Sequence, residues 1–217
     1  MSAAARAARD LRQRTCDLLL AVGPNAPTLC EGWTCADLAA HLVIREGRPD
    51  AAFGIIIPAA APRTARIQAR YAQMDFAELV DRVRSGPPAW SPLRWLQGAA
   101  NLIEFAVHHE DIRIPNADHG EPLPVQIQDL LWKRLVAGAK LMFRNVHAGL
   151  TLRTADGRTL KVRSVRRRDD NGAGAPAVTI TGTPIQLLLE ATGRASGATI
   201  DGDERSRAIY EHSTRGI

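Results

Sequence analysis

The sequence predicts an antiparallel helical bundle over residues 1–147, followed by a small α+β domain over residues 148–217, and three observations predict it. From Ser2 to Val146 apolar residues recur at helical spacing. The breaks between those stretches are short and carry Pro or Gly, which favours helices that fold back on their neighbours. After His147 the period falls to two, beginning with Leu150-Thr151-Leu152-Arg153-Thr154.

The first helix carries Leu11, Leu18, Leu19 and Val22 and is stopped by Gly23-Pro24. Thr34 opens the second, because Thr34-x-x-Asp37 reads as a capping box ahead of Leu38, His41, Leu42 and Ile44. Pro49 and the stretch 55–62 are expected to end or redirect it. A third helix runs through Phe76, Leu79, Val80 and Val83 to Gly86-Pro87-Pro88, and a fourth from about Leu96 to Ile114, closed by Pro115. A fifth begins near Val125 and carries Leu130, Leu131, Trp132, Leu135, Leu141, Met142 and Phe143. In the second domain, Ala155-Asp156-Gly157-Arg158 joins two alternating segments, an Asp-Gly hairpin signal. Ala177–Thr181 reads as a strand, Thr183-Pro184 starts a helix that ends at Gly193, and a short strand at 198–200 precedes a last helix near Glu204–Tyr210.

With 217 residues, 45% hydrophobic and 24% charged, the chain has material for a real core, and collagen, coiled coil and wholesale disorder are excluded. No apolar run approaches the ~18–20 residues that span a bilayer, and Ile55-Ile56-Ile57 is cut off by Pro58. Met1 to Arg14 alternates Ala with Arg and Asp and lacks the apolar core of a signal peptide, so the expected location is the cytoplasm, without a membrane partner. The net charge of +5 comes from basic residues interleaved with acids. Its densest cluster, Arg163 with Arg166, Arg167 and Arg168, runs into Asp169-Asp170-Asn171-Gly172 and reads as the solvated end of a hairpin. With ten aromatics to stack on bases, no nucleic-acid partner is expected. Cys16, Cys30 and Cys35 cannot all pair and form no C-x-x-C, so reduced thiols are the expectation. Cys35 falls in a first helical turn, where the macrodipole can lower a thiol pKa; a small buried hydrophobe is the other reading.

The most informative segment is Asn101-Leu-Ile-Glu104-Phe-Ala-Val-His108-His109-Glu110-Asp111. A carboxylate amid Leu102, Ile103, Phe105, Ala106 and Val107 is costly unless a partner or a metal neutralises it. Glu104 and His108 are i, i+4 and share a face, as two metal ligands on one helix do. His109 lies ~100° further round. His41, in line with Leu38, Ile44 and Arg45, is the counterpart on the second helix. Three such ligands with space left over are the arrangement of a catalytic metal. A hydrogen-bonded core histidine and an ordinary helical Glu–His pair are the alternatives.

Cys30-Glu31-Gly32-Trp33-Thr34-Cys35-Ala36-Asp37-Leu38-Ala39-Ala40-His41-Leu42 resembles the GWT-x-x-D-L-x-x-H signature of the DinB-like, mycothiol-dependent maleylpyruvate isomerase family. Glu104-Phe-Ala-Val-His108, followed closely by an aspartate, is similar to that family's second block. The run Val178-Thr-Ile-Thr-Gly182-Thr-Pro, then Leu187-Leu-Leu and Gly193-Arg194, resembles its smaller, sterol-carrier-like domain. The resemblance implies a DinB-like bundle holding a divalent metal, typically Zn²⁺, through His41, Glu104 and His108, with mycothiol as a metal-bound thiolate.

The resulting expectation is a metal-dependent transferase or isomerase in which a small-molecule thiol attacks a small electrophile. Arg194 is the candidate catalytic anchor for a substrate carboxylate; a plain helix C-terminal arginine is the competing reading. A non-catalytic metal-binding sensor or interaction module would need the same ligands. A hydrophobic-ligand carrier is disfavoured by the charges at Arg153, Lys161 and Arg163. The segment Gly86–Trp95 is either a lid carrying Trp90, Arg94 and Trp95 or a loop pinned to the core by its tryptophans.

Overall fold

The computed structural model describes residues 2–91, 98–164 and 175–214, and the chain parts into two compact units, Met1–Pro122 and Leu123–Ile217.

In the first unit, α1 (Ala3–Val22) starts where Ser2 accepts the Ala5 N–H and ends at Gly23, whose φ of +85° only glycine adopts without strain. Its stripe of Ala8, Leu11, Leu18 and Leu19 is buried, and α1 packs on the helices named below as α5 and α6. α2 (Cys35–Gly47) opens with the expected capping box, Thr34 and Asp37 each satisfying the other's backbone N–H. The prolines expected to break the chain instead start helices. α3 (Pro49–Ile56) begins on Pro49; a single 3₁₀ turn (Pro58–Ala60) then leads into α4 (Ala61–Ala72), which has Pro62 in its first turn. A proline there gives up an N–H that would have no helical partner, and its fixed φ already suits a helix. α5 (Phe76–Ser85) is capped by Asp75 and stopped by Gly86, and α6 (Ala99–Arg113) ends in a 3₁₀ turn, Ile114–Asn116. α2 packs on α3, α4 and α5.

Inside this unit Arg12 grips Glu46 with two hydrogen bonds of 2.6 and 2.7 Å, and donates a third to the Val83 carbonyl. Its guanidinium lies 4.3 Å from the Phe105 ring centroid. All of its charge is met by neighbours, which is what a buried ion pair requires.

The second unit begins with α7 (Val125–Met142), which sequence periodicity assigned to the bundle. The units divide between Pro122 and Leu123, not near 147. Periodicity identifies the buried stripe, here Ile127, Leu131, Leu135, Ala139 and Met142, but not what covers it. The covering elements are α8 (Pro184–Ala191) and strand β2 (Thr159–Arg163). Four strands, β1 (Gly149–Arg153), β2 (Thr159–Arg163), β3 (Ala177–Thr181) and β4 (Thr199–Asp201), form one sheet in the order β2-β1-β3-β4. β1 pairs antiparallel with β2 across the Asp156-Gly157 turn and parallel with β3, which pairs antiparallel with β4. Gly149 sits where β1 and β3 approach closely; a Cβ there would lie 3.2 Å from that of Ala177. α9 (Glu204–Glu211) packs on β3 and sends Tyr210 to Glu190, whose carboxylate accepts from the Tyr210 hydroxyl at 2.7 Å and from Ser196 at 2.8 Å.

Among the described residues no helix is long and apolar enough to cross a membrane. Arg166, Arg167, Arg168 and the turn that follows lie outside the described residues.

Candidate metal centre

α6 is buried almost all the way round. Leu102, Phe105, Ala106 and Ile112 are fully buried, and the consecutive polar residues His108, His109, Glu110 and Asp111 are buried as well. Burying four titratable side chains in a row is tolerable only if each has a partner, and each does. Helical geometry splits them into two groups. His109 Nδ1 lies 3.1 Å from Glu110, which also takes a bidentate contact from Arg113. His108 Nδ1 lies 2.8 Å from Asp111 Oδ2, one turn on.

The other nitrogen of His108, Nε2, faces Glu104 Oε1 at 3.3 Å. From α2, His41 Nε2 reaches the same oxygen at 3.5 Å, and Arg45 Nε at 3.0 Å. Arg45 is braced in turn by buried Asn101 at 3.1 Å. One ligand atom each of His41, Glu104 and His108 thus falls within 4.8 Å of the others. Donors bound ~2.0–2.1 Å from a tetrahedral ion stand about 3.3 Å apart. The two Glu104 distances lie near that spacing, and the donor types are those a divalent ion takes, so the three residues are a candidate ligand set. Asp111 behind His108 fits the same reading, since a carboxylate on the far nitrogen leaves Nε2 as the ligand.

The electrostatics of the two histidines point in opposite directions, so a cation would find His41 already neutral but would have to displace a proton from His108. Burial, reinforced by His108, holds the His41 ring below its usual pKa and therefore neutral, the form that ligates metals. Burial pushes Glu104 upward, but the two histidines and Arg45 outweigh it and keep the carboxyl well below its usual range. Burial likewise opposes charge on His108, yet Asp111, Cys30 and Glu104 together raise it well above the ordinary value.

Two neighbours carried no assigned role in the sequence reading. The Cys30 thiol donates to Asp111 Oδ2 at 3.4 Å, and Cys30, His108 and Asp111 form a second trio of potential ligands that shares His108. The i, i+3 spacing of His108 and Asp111 was a signal available in the sequence; Cys30 comes from a distant loop and offered none. α4 also supplies unforeseen groups. A cavity of about 520 Å³ beside His41 is lined by Trp33, Asp37, Thr64 and Gln68, with Ala61, Ala65 and Ala69 between them. Trp33 lies 5.2 Å from His41, ring centroid to ring centroid.

The remaining expected groups are each placed within their own unit. Arg194 is in the second unit, immediately after α8. Its N–H bonds the Leu189 carbonyl and that of Gly193 bonds Glu190, the pattern of a glycine-terminated helix. Cys35, at the first position of α2, is fully buried, and its thiol is pushed up to about 12. Of the two readings of Cys35, the small buried hydrophobe is the one the structure has, because desolvation of the thiolate outweighs any lowering by the helix dipole. Trp90 is 62% exposed and pins nothing; the loop is held by Ser91, whose hydroxyl donates to the Glu46 carbonyl at 2.6 Å. Arg94 and Trp95 lie outside the described residues.

The fold, mixed helices with a four-stranded sheet, is one with solved counterparts. Two are the crystal structure of the mycothiol-dependent maleylpyruvate isomerase and that of a histidine-to-alanine mutant of it. Each is similar with a TM-score of 0.53 and 15% identity, covering 91% of both chains. No protein-family model matches the sequence, and no curated protein does.

Proposed function

We propose that this chain binds a divalent metal, Zn²⁺ by donor chemistry, through His41, Glu104 and His108, and that it catalyses attack of a small thiol on a small electrophile, as a mycothiol-dependent transferase or isomerase. The observation that carries the proposal is the convergence of three potential ligand atoms from two helices within 4.8 Å of one another, with Glu104 Oε1 3.3 and 3.5 Å from the two imidazoles. The structural likeness to a mycothiol-dependent isomerase supports the choice of thiol.

A divalent ion held by the imidazoles of His41 and His108 and the Glu104 carboxylate would keep a net charge of +1 and would supply the acidity that makes a thiolate available at neutral pH. The protein's own groups do the rest. Asp111 holds His108 with Nδ1–H toward the carboxylate and Nε2 toward the site. Arg45 fixes Glu104 and offsets its charge. Trp33 packs against one side of His41, with the ring centroids 5.2 Å apart.

The test uses the cobalt-substituted protein, in which a thiolate entering the coordination sphere adds a charge-transfer band in the near ultraviolet. Titration with mycothiol should produce the band, and His41→Ala should abolish it; glutathione serves as the comparison thiol. If no thiol perturbs the spectrum at millimolar concentration, the catalytic proposal fails and a non-catalytic metal module takes its place.

A further inference from the structure

Behind His108, at the ring nitrogen turned away from Glu104, lies a second set of donors. Asp111 Oδ2 is 2.8 Å from His108 Nδ1, and the Cys30 thiol donates to the same oxygen at 3.4 Å. One atom each of Cys30, His108 and Asp111 falls within 4.8 Å of the others. His108 and Asp111 are buried, while Cys30 is half-buried and leaves a way in on its own side.

The loop that carries Cys30 is tied down on the spot. The Leu29 N–H donates to the Asp111 carbonyl at 2.9 Å. The Thr28 hydroxyl accepts from the Cys30 N–H at 3.2 Å and donates to the Trp33 carbonyl at 2.9 Å. The thiol is therefore held against α6 by the backbone, before any ion arrives.

Donor chemistry separates this set from the first. An ion bound to sulfur at ~2.3 Å and to oxygen at ~2.0–2.2 Å in tetrahedral geometry holds the two about 3.5 Å apart, and Cys30 Sγ and Asp111 Oδ2 stand 3.4 Å apart. A thiolate is a soft ligand that selects soft cations, whereas imidazole and carboxylate suit harder ones. The two sets also share one ring. The first uses Nε2 of His108 and the second Nδ1, so an ion at Cys30 replaces the Nδ1–H and takes Asp111 out of its supporting role. Holding an ion on each nitrogen would require the ring to lose both protons, so filling one set disfavours the other.

We propose that Cys30, His108 Nδ1 and Asp111 form a second cation site, selective for thiophilic ions, which competes with the His41–Glu104–His108 set for the shared imidazole. The competition rests on the metal site proposed above; the Cys30 site itself does not.

The test is a cadmium titration of the metal-free protein with no small thiol present. A thiolate-to-cadmium charge-transfer band is expected in the ultraviolet, saturating at about one ion per chain. Cys30→Ser keeps the size of the side chain and a donor for Asp111, so the fold and melting temperature should hold while the band is lost. His41→Ala should keep the band. Bound cadmium should slow the reaction of Cys30 with a disulfide reagent by about tenfold or more, because a ligating thiolate is not free to attack. Prior loading with zinc should weaken cadmium binding by about tenfold or more, since the two ions contend for one ring. No band in the wild type, a band that survives Cys30→Ser, or one lost in His41→Ala overturns the site. Cadmium affinity that zinc leaves unchanged overturns the competition. The two proposals fail separately. A mycothiol-dependent cobalt band that persists in Cys30→Ser supports the first site whatever cadmium does. A cadmium band at Cys30, in a protein whose cobalt form ignores every added thiol, leaves the second site standing and sinks the first site's thiol chemistry.

Discussion

His108 has two ring nitrogens, and the structure uses them differently. Nδ1 faces Asp111, and Nε2 faces Glu104. The neighbouring His109 points to Glu110 in a separate cluster. His108→Ala should therefore abolish metal uptake, while His109→Ala should keep about one divalent ion per chain by elemental analysis. Asp111→Asn should weaken metal affinity by about 10–100-fold, the usual cost of losing a carboxylate behind a ligating histidine. The thiols make a separate test. Burial raises Cys16 to about 11 and Cys35 to about 12, so both are neutral at physiological pH. No more than one thiol, Cys30, should react with a disulfide reagent in the native protein at pH 8, against three in denaturant. Both folded pKa values lie above the unfolded value near 9. The stability tied to these neutral thiols is therefore fully present below pH 9 and is lost as pH rises toward 11–12, visible as a falling denaturation midpoint.

Between elements, the buried Arg12–Glu46 pair joins α1 to α2 and also holds the end of α5 through Val83. Glu46→Ala leaves a guanidinium without its carboxylate and should cost about 3–5 kcal/mol in a denaturant melt. A smaller loss would mean that water reaches Arg12 freely. The Thr34 capping box and the Gly23 and Gly86 stops are local, and they were legible because the interacting groups lie within a few residues of one another. α4 was not legible. Its Pro62 reads equally as a breaker or a first-turn residue, and its buried groups, Thr64 and Gln68, are polar, so no apolar stripe marked its inner face.

Across the whole molecule there are two cores, and α7 belongs to the second. Leu131 is fully buried on the face of α7 that meets α8 and β2. Leu131→Ala should destabilise the sheet unit by about 2–5 kcal/mol while metal uptake by the first unit is unchanged. Loss of metal in that variant would place α7 with the bundle after all.

Helix positions, the Asp-Gly hairpin and the shared face of Glu104 and His108 followed from sequence, because backbone periodicity and capping chemistry act over a few residues. Tertiary structure alone decided that His41 and Arg45 meet Glu104, that Arg12 finds Glu46, that Cys30 approaches Asp111, and that Gln68 and Trp33 share a cavity. It also decided which core takes α7. An apolar stripe specifies that a face will be buried but not against what, and a polar side chain carries no local mark of a partner dozens of residues away. Those pairings exist only once the long-range packing has closed.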